Sequence, residues 1–94
     1  MPFALVAFDR VGQTQKRLDL RPDHLKFLDS LGDRLLLAGP YLAENGDMVG
    51  SIVIIEAESY EAARAEFARD PYAVGGLFES VTVKPYKIAR HNLK

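Results

Sequence analysis

Cysteine is absent from this chain. That excludes disulfides, thiolate catalysis and cysteine-held zinc or iron–sulfur centres, and it fits a reducing compartment. Histidine is scarce, at two residues far apart in the sequence, which is too thin a ligand set for a haem or a histidine metal site. No cofactor is therefore expected. No apolar run approaches the ~20 residues needed to cross a membrane. The start, Met1-Pro2-Phe3-Ala4-Leu5-Val6-Ala7-Phe8, lacks the basic residues and small-residue cleavage site of a secretory signal. The expected location is cytoplasmic, with no membrane partner. Charge of one sign is lacking too: 12 basic side chains face 13 acidic ones. Such balance argues against a nucleic-acid backbone as partner. No linker, repeat or low-complexity stretch divides the chain, and 94 residues suit one domain, 1–94.

What is present is an apolar pattern, 48% of the residues, whose period switches in a readable order. Phe3 to Asp9 reads as a buried strand, followed by a polar loop from Asp9 to Asp19. Pro22 suits the first turn of a helix. His24, Leu25, Leu28 and Leu31 follow helical spacing until Gly32. Arg34 to Pro40 reads as a strand. Glu44-Asn45-Gly46-Asp47 is a turn signal leading into Met48 to Ala57, so the two strands make a hairpin. Ser59 is an N-cap for a second helix carrying Ala62, Ala63, Phe67 and Ala68, which Pro71 stops. Gly75-Gly76 marks a loop, Glu79 to Tyr86 alternates as a last strand, and Lys87 to Lys94 is a polar tail containing His91. The order is βαββαβ. It predicts a ferredoxin-like α+β fold, a four-stranded antiparallel sheet with two helices on one face. The third strand is apolar on both faces through Ile52, Val53, Ile54 and Ile55. Its uncovered side predicts a homodimer packed sheet to sheet. That strand carries no aromatic residue of the kind that stacks RNA bases on such sheets.

Two residues in this plan handle protons at places where a helix dipole disfavours their charge. His24 falls in the predicted first turn of the first helix, and Asp70 at the predicted exit of the second. Local rules of this kind tend to break at working sites. The connectivity carries both to one end of the sheet, together with Gly39-Pro40 and Gly50-Ser51. There His24 has the chemistry of a general base and Asp70 that of the group orienting it. Arg21 suits an anionic substrate group. Gly39 and Pro40 allow close approach of a ligand, Ser51 offers a hydroxyl, and Tyr72 follows Asp70 directly. Several also have a plain reading: His24 as a polar first-turn residue, Asp70 as a turn former, Gly39-Pro40 as a strand end, Ser51 as an ordinary sheet residue.

Several short pieces in order resemble the YciI-like (YCII-related) family over essentially the whole length. They are Lys16-Arg17, Arg21-Pro22-Asp23-His24-Leu25, Leu35-Leu36-Leu37-Ala38-Gly39-Pro40, Gly50-Ser51, Glu61-Ala62-Ala63, Asp70-Pro71-Tyr72 and Val81-Thr82-Val83-Lys84-Pro85-Tyr86. The resemblance implies a dimeric α+β barrel arrangement and a histidine–aspartate active site, with His24 and Asp70 at the matching positions. It also implies the chemistry of some relatives, dehydrochlorination or muconolactone-type isomerisation. The expected function is a cofactor-free small-molecule lyase or isomerase using His24 as base. The alternative is a non-catalytic dimeric module that binds a metabolite in the same cleft.

Overall fold

The computed structural model describes residues 1–93; Lys94, the end of the predicted tail, lies outside them. Four strands, β1 (Pro2–Asp9), β2 (Leu35–Leu42), β3 (Met48–Glu56) and β4 (Phe78–Pro85), form one sheet in the order β2-β3-β1-β4. Every neighbouring pair is antiparallel. Between them run α1 (Thr14–Ser30), α2 (Tyr60–Phe67) and a single turn, α3 (Pro71–Val74). This is the ferredoxin-like α+β fold.

Side-chain alternation decides which face is covered. Phe3, Leu5 and Ala7 of β1 point one way, and their cross-strand partners Ile55, Val53 and Ser51 point with them. Against this face pack Phe27 and Leu28 from α1 and Ala63 and Phe67 from α2, so both helices share one core. Each large side chain buried there contributes about 1.5–3 kcal/mol. Gly32, at φ +57°, follows the end of α1 in the left-handed conformation that Cβ-bearing residues resist. Gly46, at φ +91°, does the same in the β2–β3 hairpin.

Three expectations are corrected. The stretch from Asp9 to Asp19 is not one loop, because α1 begins at Thr14. Pro22 lies inside that helix rather than at its start. It sits on the solvent side, where the Leu18 carbonyl it leaves without a helical donor can turn to water. Pro71 does not stop α2, which ends at Phe67, but opens α3 at a position where its missing N–H costs nothing. The smaller shifts are a β2 that continues to Leu42 and a β4 that starts at Phe78.

The sheet face away from the helices carries Leu37, Ile52 and Ile54, and it is not wholly bare. Residues 87–93 have no regular structure. Tyr86, Ile88 and Leu93 lie along that face and bound a cleft of about 540 Å³ with Leu36, Leu37 and Ile54. No helix among the described residues is long and apolar enough to cross a membrane.

Candidate active site

His24 is the eleventh residue of α1, so the dipole of the helix N-terminus does not act on it as a first-turn position would imply. Its side chain is placed by period instead. Arg17, Arg21, His24 and Leu28 recur at three- and four-residue steps and face the β2–β3 side of the sheet. Asp70 is likewise not at the exit of α2. It is the N-cap of α3, and its Oδ1 accepts the Tyr72 backbone N–H at 2.9 Å. A carboxylate is favoured at that end of a helix. Neither residue breaks the local rule, yet the two meet.

The imidazole Nδ1 lies 2.9 Å from both Asp70 oxygens. Both side chains are buried, His24 at 7% and Asp70 at 6% exposure. A carboxylate only accepts, so Nδ1 is the nitrogen that donates to Asp70, and in the neutral form of the ring Nε2 holds the free lone pair. Nε2 makes no hydrogen bond to a described residue, and His24 lines a cavity of about 100 Å³. The tyrosine two residues beyond Asp70 forms a wall of the same cavity. Its ring stacks on the imidazole at 3.9 Å between centroids, with the planes 16° apart.

The expected substrate-binding residues fall around this cavity: Arg21, Gly39, Pro40, Ser51 and Tyr72 all line it. Arg21, Gly39 and Pro40 are exposed and form the mouth; Ser51 and Tyr72 are buried. Ser51 Oγ already accepts a hydrogen bond from Arg17 Nη2 at 2.6 Å, which leaves its own O–H to donate. Tyr72 differs from the others. Its Oη is sealed from solvent and has no partner among the described residues. Burial pushes this phenol above its usual value of 10.0, against the opposing pull of Arg17 and Arg21. It therefore stays protonated through the neutral range.

Arg17 and Asp9 were not singled out from their chemistry, and they form the floor of the site. Arg17 is 2% exposed. Its Nε donates to Asp9 Oδ2 at 2.7 Å and its Nη2 to Asp9 Oδ1 at 3.3 Å. Nη2 also donates to the Gly50 carbonyl at 2.7 Å. The guanidinium carbon stands 4.5 Å from the centre of the Tyr72 ring, within cation–π range. Two buried charges are tolerated because the pair is bidentate and Nη2 finds further acceptors in the Gly50 carbonyl and Ser51 Oγ. Nη1 makes no hydrogen bond to a described residue and remains as a donor beside the cavity. Two signals in the sequence would have found this pair. Asp9 continues the inward alternation of Phe3, Leu5 and Ala7, and Arg17 stands one heptad before His24 on the same helical face.

Gly50 has a packing reason as well. A Cβ there would come within 2.5 Å of the Ala7 carbonyl oxygen and 3.3 Å of both Phe8 and Tyr41. Those two rings stack at 5.2 Å across the open face. Among the described residues, no group of three or more histidine, aspartate or glutamate side chains is placed to hold a metal ion.

Comparison with known proteins places this chain among relatives. The family described as the YCII-related domain matches residues 1–87. Protein YciI of Escherichia coli O6:H1 is 43% identical over 95 residues, covering 93% of this chain and 97% of the relative. An uncharacterized protein of Haemophilus influenzae is 37% identical over the same share. Among solved structures, the 5-chloro-2-hydroxyhydroquinone dehydrochlorinase TftG of Burkholderia phenoliruptrix, in complex with 2,5-dihydroxybenzoquinone, is 34% identical with TM-score 0.87. It covers 93% of this chain and 94% of that one. SnoaB of Streptomyces nogalater, a cofactor-independent oxygenase, shares the fold at TM-score 0.59 and 13% identity, covering 98% and 95% of the two chains.

Proposed function

The chain belongs to the YCII-related family, and from that premise we propose that it is a cofactor-free lyase or isomerase acting on a small oxygen-rich molecule. One observation carries the reading: a buried carboxylate fixes the proton on Nδ1 of a buried imidazole whose Nε2 is left unpaired at a cavity. That arrangement suits a general base. Nε2 takes a proton from the substrate, and Asp70 stabilises the imidazolium that results. Arg17 Nη1, the Ser51 hydroxyl and Arg21 at the mouth supply donors for the negative charge that proton removal leaves on substrate oxygens. Gly39 and Pro40 shape the entrance, and the Tyr72 ring holds the imidazole plane. A cavity of about 100 Å³ admits only a small ligand. The dihydroxybenzoquinone held by TftG, a dehydrochlorinase of similar fold and sequence, is of that kind.

The same reading includes a homodimer through the open sheet face, a small-molecule ligand as partner and a cytoplasmic setting. The apolar residues of that face support the dimer.

The test is turnover of 5-chloro-2-hydroxyhydroquinone, with release of chloride, by the native chain and by His24→Ala and Asp70→Asn. Loss of His24 is expected to lower the rate by about 10²–10⁴. Asparagine keeps the cap on α3 and an acceptor for Nδ1, so Asp70→Asn should fold and bind yet turn over more slowly. Binding of 2,5-dihydroxybenzoquinone that survives both substitutions, with no turnover in the native chain, would identify a binding module instead.

A further inference from the structure

The His24 cavity is not the largest space on the helix side of the sheet. A second cavity, of about 240 Å³, lies between α2 and β4. Leu5 and Val83 form its floor, Phe67 and Phe78 its walls, and Tyr60 and Arg64 its mouth. It exists because α2 is too short for the strand it covers. Eight residues of helix span about 12 Å, and eight of strand about 27 Å. Val81 is paired with Ala7 on the covered face, yet it remains 50% exposed. Ala68 and Ala73, the residues nearest the gap, carry only methyl groups and do not fill it.

The charge of this cavity is one-sided. Arg34 and Arg69 both pair with Glu66. Arg64 pairs with no carboxylate among the described residues, and its guanidinium carbon lies 5.6 Å from the Tyr60 ring centre. No acidic residue lines the cavity. A half-open cavity with apolar side chains on its floor and walls and one uncompensated cation at its mouth complements a molecule with an apolar body and a single negative charge.

We propose that this cavity binds a small apolar carboxylic acid, its hydrocarbon body between Phe67, Val81 and Val83 and its carboxylate on Arg64. At about 240 Å³ the space is more than twice that of the His24 cavity, at about 100 Å³, and suits a short hydrocarbon chain. The site shares no lining residue with the His24 cavity, so it stands whether or not His24 is a base.

The experiment is a ¹H–¹⁵N NMR titration of the full chain with sodium octanoate, and with octan-1-ol as the uncharged counterpart. Saturable shifts are expected at the amides of Arg64, Ala68, Ala73 and Val81, with those around His24 and Ser51 unmoved. Arg64→Gln should weaken octanoate by about tenfold or more, the worth of one charge-assisted contact, and leave octan-1-ol unchanged. Ala73→Leu fills the space and should abolish both, with melting temperature as the check on folding. Val81→Phe does the same from the opposite wall if Ala73→Leu does not fold. His24→Ala should leave octanoate binding intact. Shifts confined to the His24 cavity or the open sheet face would overturn the proposal. So would an Arg64→Gln variant that binds octanoate as well as the native chain, or no saturable shift at millimolar octanoate.

Discussion

Removing one oxygen from the centre of this protein should make it more stable. Tyr72 is completely buried, and its hydroxyl has no partner among the described residues. A sealed, unpaired polar group costs about 1–3 kcal/mol relative to its state in water. Phenylalanine keeps the ring, and with it the stack on His24 and the edge contact with Phe78 at 6.0 Å. What is lost is a few dispersion contacts of the oxygen, each worth about 0.1–0.2 kcal/mol. Tyr72→Phe is therefore expected to gain on the order of 1 kcal/mol, a rise of about 4–8 °C in melting temperature for a domain of this size. Differential scanning calorimetry at fixed protein concentration measures it, since self-association would otherwise shift the midpoint. The alkaline limb provides a second reading. Burial raises the folded-state value of this phenol above 10.0. The neutral form is thus favoured in the fold, and its contribution is fully present below pH ~10. It is lost as pH rises through the folded value, because the unfolded chain releases the proton first. Native protein should lose stability above pH ~10 more steeply than Tyr72→Phe, with the other tyrosines common to both. A variant that melts several degrees lower would show that the hydroxyl is hydrogen-bonded and would refute the reasoning. Identical alkaline limbs would refute it too.

Two further outcomes test the packing of the site. Arg17→Leu leaves the Asp9 carboxylate buried and unpaired, so a loss of about 3–5 kcal/mol in urea unfolding is expected. Much of that should return in the Asp9→Leu/Arg17→Leu double variant, and a single variant as stable as the native chain would show the pair to be idle. Gly50→Ala drives a Cβ against the Ala7 carbonyl, for a cost of about 1–3 kcal/mol. Gly39→Ala meets nothing within 4 Å and should melt with the native chain. Equal effects of the two glycine substitutions would remove the close-approach argument.

The element order was legible because its signals are local. Alternating apolar residues, the Asn45-Gly46 turn and the Ser59 cap each report within a few positions. The start of α1 was not. Its first two turns are polar except at Leu18 and Leu20, and Pro22 resembles a beginning when it is an interior residue facing solvent. That misplacement hid Arg17, which lies in the turns read as loop. It also lent His24 a dipole argument that its mid-helix position does not support. The contact of His24 with Asp70 followed from connectivity, which survives errors of several residues in element ends. The course of residues 87–93 was not legible. It depends on Ile88 and Leu93 finding Leu36, Leu37 and Ile54, residues more than 30 positions away.

A single oxygen atom ties the site to the local fold. Asp70 Oδ1 stands 2.9 Å from His24 Nδ1 and accepts the Tyr72 amide at the same distance. The carboxylate that orients the imidazole is thus also the clasp of α3, and α3 in turn sets the ring on which the imidazole rests. An opening of that turn releases all three residues together, so amide exchange at Tyr72 and the availability of an oriented base are governed by one local equilibrium.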